Sequence, residues 1–387
     1  MRANPPQLRK ASPASPRVKA KPLTGPAMRA TMPAAAPVVA IVGATGAVGA
    51  ELLRCLEARN FPLRGLKLLA SSRSAGKTLP FRGDNLVVEE LDERSFDGVD
   101  LALFSAGAAT SRHYASLAVR AGAVVVDNSS AFRMLPAVPL VIPEINPGEI
   151  AGHRGIIANP NCSAIVAITP LWPIHKKNRI KRLIVATYQA ASGGGAAAMH
   201  ELVESTRAHL DGRDYKPRVL PHPYAFNLFS HNTAIDPATG YNGEETKVMQ
   251  ETRKIFGDPD MRVSATCVRV PVLRAHSIAV TFECERPIAP DEARALMQNA
   301  PGVRIVDDWE HNYFPMPKDA SGQDDILVGR IRQDLSDPTG HSISLFSAGD
   351  QLLKGAALNA VQIAEHVLHN GAAGHDGAAG HDAAGRG

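Results

Sequence analysis

Of the four cysteines in the chain, Cys55, Cys162, Cys267 and Cys284, one stands where a sulfur does chemistry. Cys162 occupies Asn159-Pro160-Asn161-Cys162-Ser163, between the apolar run IIA and the helical AIVAITPLW. A thiol at a strand-to-helix junction lies beside free helix amides, which favour the nucleophilic thiolate and are expected to lower its pKa. The other three fall inside predicted helices or strands and read as small buried hydrophobes. Farther along, Arg269-Val-Pro-Val-Leu-Arg274-Ala-His276 gathers two guanidinium groups and an imidazole at the end of a strand. His276 could exchange protons with a thiol or a thiohemiacetal oxygen, and a fixed arginine could clamp a carboxylate at two points. Spacing alone does not separate this from a structural histidine.

A second group of residues suits phosphate. The first apolar run, Val38–Gly43, leads through Gly43-Ala44-Thr45-Gly46-Ala47-Val48-Gly49 into a helix. Glycines in that place let the chain turn tightly and approach a pyrophosphate, whose charge then meets helix amides. The spacing is GxxGxxG rather than GxGxxG, so the flanking strand and helix carry the argument, against the alternative of a glycine-rich structural turn. After the next strand, LKLLA, comes Ser71-Ser72-Arg73 with no acid before Lys77. A carboxylate there would hold a ribose hydroxyl pair, whereas hydroxyls beside Arg73 suit a 2′-phosphate, so NADP is expected over NAD. The alternative is an ordinary surface arginine.

These residues need a frame. A chain of 387 residues exceeds one small domain, and its 44% hydrophobic and 21% charged residues match a globular protein with no apolar run long enough to span a membrane. No CxxC spacing occurs, which excludes a disulfide scaffold and a zinc knuckle. The formal charge of +4 belongs to the first 36 residues, which hold seven basic residues and no acid. The remainder is slightly acidic, and no nucleic-acid surface is implied. Residues 1–36 read as disordered, either a transit peptide or an over-long start before Met28 or Met32. Residues 371–387 repeat a Gly/Ala/His/Asp unit, expected to be a solvated low-complexity tail. Between the tails, continuous apolar runs alternate with amphipathic stretches, the pattern of a Rossmann-type doubly wound parallel sheet over residues 37–160. From 161 to 350 the strands lengthen and become more polar around two helical blocks, an α+β domain with an open mixed sheet. A last helix, residues 351–369, is expected to pack back on the first domain.

With GATGAVG, SSR, SSAFR, NPNCS, TYQAASG, EETK, RVPVLRAH and GDQLLKGAALN in this order, the chain resembles the aspartate-β-semialdehyde dehydrogenase family from about Val38 to His369. The resemblance implies NADPH-dependent reduction of L-aspartyl-4-phosphate to the semialdehyde and phosphate, toward lysine (through diaminopimelate), methionine, threonine and isoleucine. It implies Cys162 as the nucleophile that forms a thioester, and His276 as acid/base with a pKa near the working pH. Gln189 would orient the acyl group. Arg269 would clamp the α-carboxylate, Glu244 would meet the α-ammonium, and Arg133, Lys247 and Asn161 would form the phosphate pocket. The NADP site would comprise Gly43, Thr45, Gly46, Ala47, Val48, Gly49, Ser72, Arg73, Ser192, Gly193 and Gln351. Homodimers or homotetramers are implied, in the cytoplasm or, if residues 1–36 are a transit peptide, in a plastid. Metal, nucleic acid and membrane have no place in this reading. N-acetyl-γ-glutamyl-phosphate reductase is the nearest rival. Its GCY-type nucleophile stretch is absent, and it has no need of an ammonium partner such as Glu244. Glyceraldehyde-3-phosphate dehydrogenase would show an SCTTN-type stretch. A catalytically dead NADP-binding scaffold would have lost Cys162 or His276.

Overall fold

The uninterrupted apolar runs of the first half become strands covered on both faces. They follow one another as β1 (Val38–Val42), α1 (Ala47–Ala58), β2 (Gly65–Ala70), β3 (Thr78–Phe81), β4 (Asp84–Glu90), β5 (Leu101–Phe104), α2 (Ala108–Arg120), β6 (Val124–Asp127) and β7 (Ile156–Ala158). The structure is a computed structural model, and it describes residues 36–376. The seven strands lie in the order β3-β4-β2-β1-β5-β6-β7, all parallel except the β3–β4 pair. Without β3, this is the strand order of a doubly wound dinucleotide sheet, whose crevice lies at the C-terminal ends of β1 and β5, where the order reverses. Every residue of β5 and β6 is buried, which is why those strands read as continuous rather than alternating. The β3–β4 hairpin is an addition to the sequence reading. Arg82 and Gly83, at φ 50° and 88°, make its two-residue left-handed turn.

Two glycines of the first loop are sterically required. Gly43 sits at φ 91°, where an added Cβ would come within 2.6 Å of the Ser105 carbonyl oxygen. A Cβ on Gly49 would come within 2.2 Å of the Gly43 carbonyl oxygen, so α1 approaches the end of β1 as closely as only glycine permits. We expect Gly49→Ala to destabilise the fold by about 1–3 kcal/mol and to weaken dinucleotide binding, as overpacking against backbone cannot relax cheaply. Urea unfolding together with a cofactor titration checks this. A variant as stable as the parent would mean that the loop is not held as described.

The second half comprises α3 (Cys162–Ile168), α4 (Trp172–Lys177), β8 (Ile180–Gln189), α5 (Gly195–Leu210), β9 (Phe229–Ser230), α6 (Gly243–Phe256), β10 (Arg262–Arg269), β11 (His276–Cys284), α7 (Pro290–Met297), β12 (Val303–Ile305), α8 (Pro317–Ala320), β13 (Ile326–Gln333) and β14 (Ser342–Gly349). Its mixed sheet runs β12-β13-β14-β11-β8-β10-β9. Along β8, Leu183, Val185, Thr187 and Gln189 are buried, while Arg182, Ile184 and Tyr188 are exposed. One face is therefore closed by helices and the other is open, as the more polar strands suggested. Val248 and Ile255 of α6 share the closed-face core with Val263 and Ile278.

After β14 the chain makes a π-helical turn, Leu353–Ala357, and continues as α9 (Leu358–Asp376). Val361, Ala364 and Val367 of α9 join the core of Ile41, Leu101 and Val124, so the C-terminal helix completes the first domain. The buried Lys354 of the π turn donates to Glu144 at 2.6 Å, Asn359 at 2.9 Å and Gln362 at 2.7 Å, which satisfies all three of its N–H groups. One boundary needs correction. The tail expected from Gly371 begins inside α9, whose alanines favour helix. Residues 1–35 and 377–387, with the expectations placed on them, lie outside the described residues.

Candidate active site

Asn161 organises the turn that presents Cys162. Its side-chain Oδ1 accepts the Ser163 and Ala164 amides at 2.9 and 3.2 Å, which makes it the N-cap of α3 and Cys162 the first helical residue. Its Nδ2 donates to Glu244 at 2.8 Å, and its backbone N–H donates to Glu251 at 2.6 Å. Asn161 therefore holds the turn, and most of its polar capacity is spent there rather than offered to an anion.

The Cys162 sulfur lies 3.5 Å from Nε2 of His276, the first residue of β11. Ala275 before it stands at φ 71° and is pinned there by Gln351, whose Oε1 accepts the Ala275 N–H at 2.9 Å and whose amide donates to the Ser192 hydroxyl. Positive φ at an alanine costs about 1–3 kcal/mol, which the surrounding contacts must offset, and here it aims the imidazole. The Ala190 N–H donates to His276 Nδ1 at 3.1 Å. A neutral ring accepting at Nδ1 carries its proton on Nε2, so that N–H faces the sulfur.

Both expected pKa values differ in this resting site. Burial, and then the Glu244 carboxylate, push the Cys162 thiol up to about 11, against the pull of Arg133 and Arg269. The helix amides are in place, but desolvation of a charge outweighs them. Burial and the Arg269 guanidinium push His276 down to about 3, not near neutrality. The resting pair is thus a thiol beside a neutral imidazole.

Around the sulfur, a cavity of about 380 Å³ is lined by Cys162, Gln189, Arg133, Lys247, Glu244, Arg269 and Asn161, together with Val48, Ser192, Gly193 and Gln351. His276 is wholly buried just behind that wall, where a Cβ on Gly193 would meet its ring at 3.0 Å. Gln189 ends β8 and donates to Ser163 at 2.8 Å and Glu244 at 3.3 Å. Burial raises the Glu244 carboxyl, but Lys247 and the Asn161 hydrogen bond, joined by His231 once that ring is protonated in acid, hold it down at about 2, so it is a fixed anion. Lys247 donates to its second oxygen at 3.2 Å. Arg133 spends Nε–H on the Asn159 carbonyl, one N–H on Glu251 and one on the Asn128 carbonyl. That leaves one N–H on each terminal nitrogen, the arrangement that grips an oxyanion at two points.

The first loop and the SSR turn form an exposed lip beyond this cavity. Thr45 donates to Ser74 at 3.2 Å, bringing the two loops side by side, with Ser72 and Arg73 exposed. Gly46 belongs to this lip, Gly43 and Ala47 lie half-buried beside it and Gly49 is buried beneath it, while Val48 reaches the cavity itself. The structure thus brings Cys162, Gln189, Arg133, Lys247, Glu244, Arg269 and Asn161, the residues expected from the sequence to act on substrate, to one cavity and sets Thr45, Ser72 and Arg73 apart from it. His231 and Glu251 were missed in the sequence, since nothing in their spacing marks them. They lie 38 and 118 residues from the arginines they contact.

Comparison with known proteins follows the same division. Residues 38–153 match the family model "Semialdehyde dehydrogenase, NAD binding domain" and residues 171–354 match "Semialdehyde dehydrogenase, dimerisation domain". The aspartate-semialdehyde dehydrogenase of Synechocystis sp. is 57% identical over 333 residues, covering 86% of this chain and 98% of that protein. This chain belongs to the aspartate-semialdehyde dehydrogenase family. The Aquifex aeolicus aspartate-semialdehyde dehydrogenase is 49% identical over 86% of the chain and 98% of its own length. The crystal structure of Vibrio cholerae aspartate semialdehyde dehydrogenase II complexed with ASA superposes with a TM-score of 0.84 at 42% identity, over 87% of this chain and 99% of that one. As a semialdehyde dehydrogenase the chain is an oxidoreductase with a nicotinamide-dinucleotide domain and a domain for oligomer formation. Among the described residues no helix is long and apolar enough to cross a membrane.

The two buried histidines of this dehydrogenase site contribute to its acid sensitivity. Unfolded, each takes a proton near pH 6.5, whereas folded His231 does so only near 4 and His276 near 3. Between those limits the unfolded chain binds more protons, so stability falls as pH drops below 6.5. We expect a loss of up to about 2 kcal/mol per histidine between about pH 7 and pH 5, read from urea midpoints. A midpoint unchanged over that range would contradict neutral burial of the pair.

Proposed function

We propose that the chain reduces L-aspartyl-4-phosphate to L-aspartate-4-semialdehyde with NADPH, through a thioester on Cys162. The observation that carries this is the sulfur 3.5 Å from His276 Nε2, on the wall of a cavity that also holds two cations, Arg133 and Lys247, and an opposed Arg269 and Glu244. Arg269 holds the α-carboxylate and Glu244 the α-ammonium, which leaves the acyl phosphate to reach Cys162 with its phosphate between Arg133 and Lys247. Pairing of the ammonium with Glu244 also offsets the carboxylate's field at the sulfur, which favours the thiolate. Sγ attacks the acyl carbon as its thiol proton passes to the departing phosphate, the acyl carbon–oxygen bond to phosphate breaks, and the hydrogen phosphate leaves with its charge met by the two cations. Gln189 orients the acyl oxygen.

The tight turn at Gly43 and the close approach of α1 at Gly49, which only glycine allows, bring the N-terminal amides of α1 to the end of β1, where a pyrophosphate would fit. Thr45, Gly46, Ala47 and Val48 would line the pyrophosphate, Ser72 and Arg73 the 2′-phosphate, and Ser192, Gly193 and Gln351 the nicotinamide end. When bound, the nicotinamide supplies the hydride that reduces the thioester. His276 donates Nε2–H to the sulfur as it gains and regains charge. Taking the thiol proton instead would require giving up the Ala190 bond. The oxyanion collapses to the aldehyde by expelling the Cys162 thiolate, which regains the thiol by taking up from solvent the one proton consumed overall.

The product opens the routes to lysine through diaminopimelate, methionine, threonine and isoleucine. The open face of the second sheet, with Ile184 and Tyr188 exposed, supports a homodimer, with a homotetramer as the alternative assembly. Four unpaired cysteines support a reducing cytoplasm. The test is the reverse reaction: aspartate semialdehyde, phosphate and NADP given to the purified enzyme, with NAD and N-acetylglutamate semialdehyde in parallel. NADPH formation that needs phosphate, favours NADP and rejects the acetylated substrate is expected. Activity with the acetylated substrate alone would overturn the assignment.

A further inference from the structure

Arg269 and Glu244 sit on different elements, the end of β10 and the first turn of α6, yet they must read two groups on one carbon atom. One hydrogen-bond chain connects them. An Arg269 terminal N–H donates to His231 Nε2 at 3.0 Å. A guanidinium only donates, so Nε2 accepts and the neutral ring carries its proton on Nδ1, which faces the Thr233 hydroxyl at 3.3 Å. Thr233 in turn accepts the Glu244 backbone N–H at 3.0 Å and donates to Asn242 at 3.3 Å. Asn242 is the N-cap of α6, with both halves of a capping box formed with Glu245. His231 lines the cavity and is 8% exposed.

Arg269 is otherwise weakly held. Its remaining protein contacts are to Asn232 at 3.3 Å and the Ala190 carbonyl at 3.4 Å, both long for a guanidinium. Only the His231 contact has ordinary hydrogen-bond length. We propose that His231 is a positioning residue for substrate recognition, holding Arg269 at a fixed separation from Glu244 so that a carboxylate and an ammonium on one carbon are read together. The inference rests on the proposed roles of Arg269 and Glu244. His231 works only as an acceptor. A protonated ring would set a cation against Arg269, with Lys247 and His276 also near and Glu244 the only opposing charge.

The geometry provides its own control. The Oε1 of a glutamine replaces imidazole Nε2 in reach and as an acceptor, whereas the shorter asparagine replaces Nδ1 and leaves Arg269 unmet. The experiment measures steady-state kinetics in the phosphate-dependent direction for His231→Gln, His231→Asn and His231→Ala, with Arg269→Ala alongside. We expect His231→Asn and His231→Ala to raise KM for aspartate semialdehyde about tenfold, with kcat within about twofold and KM for NADP unchanged, while His231→Gln stays within about threefold of the parent. A raised KM for Arg269→Ala with no change in any His231 variant would overturn the inference and leave the clamp standing. No change in Arg269→Ala would remove the clamp and the inference together. Equal losses in the glutamine and asparagine variants, or a fall in kcat at constant KM, would also overturn it. The two amide variants differ by one methylene, so the comparison does not depend on the alanine variant folding.

Discussion

Replacing Cys162 with alanine is expected to lower kcat by at least about 10⁴-fold while NADPH affinity stays within about threefold of the parent. The size follows from the role. Without Sγ no thioester forms, and the remaining groups only bind and orient, which leaves a small fraction of the rate. Retention of binding follows from the structure, because alanine keeps the Cβ that faces Gly355 of the π turn, and the dinucleotide loop lies on another element. Serine at the same position keeps the shape and offers a much weaker nucleophile, so it should be nearly as inactive. Kinetics beside a fluorescence titration of NADPH check both halves. Turnover surviving in the alanine variant would contradict the covalent route, and lost binding would show a structural role instead.

Glu251→Ala is expected to destabilise the fold by about 3–5 kcal/mol and to reduce activity with it. The Glu251 carboxylate is 1% exposed, and it accepts from Arg133 at 3.1 Å and from the Asn161 N–H at 2.6 Å. Burial raises its pKa and Arg133 opposes that shift, so the carboxylate is costly alone and sustained by its partner. Removing it strands a buried guanidinium and an amide, both aimed at a void, which costs more than the pair itself contributes. Asn161 caps the helix that begins at Cys162, so a loosened Asn161 also moves the sulfur. Glu251→Gln keeps one acceptor of nearly the same shape and should lose less. Urea unfolding of both variants measures the difference. A loss below about 1 kcal/mol for alanine would mean that Arg133 finds other partners.

What the sequence discloses about this molecule depends on how local each determinant is. Continuous apolar runs such as Leu101–Phe104 and Val124–Asp127 announce strands covered on both faces, since no solvent face imposes alternation. Gly43 and Gly49 are legible because one loop must satisfy both a turn and a close helix approach. The β3–β4 hairpin escaped because Arg82-Gly83 is not a strong turn pair and Pro80 interrupts the strand pattern. Cys162 was found from its junction, but its thiol pKa was not. The opposing carboxylate, Glu244, stands 82 residues downstream, and burial is a property of the folded chain. His231 and Glu251 were invisible for the same reason: each acts on an arginine brought to it only by the sheet and α6. The motifs name the groups proposed to touch substrate, and the fold supplies the groups that hold them.

The covalent route can be watched without phosphate. Enzyme mixed rapidly with aspartate semialdehyde and NADP, phosphate being absent, should release one equivalent of NADPH per active site in a burst and then stall, with the acyl group on Cys162 detectable by mass spectrometry. Phosphate added afterwards should restore turnover. Steady NADPH formation without phosphate, or a burst with no adduct on Cys162, would contradict a thioester resolved by phosphate.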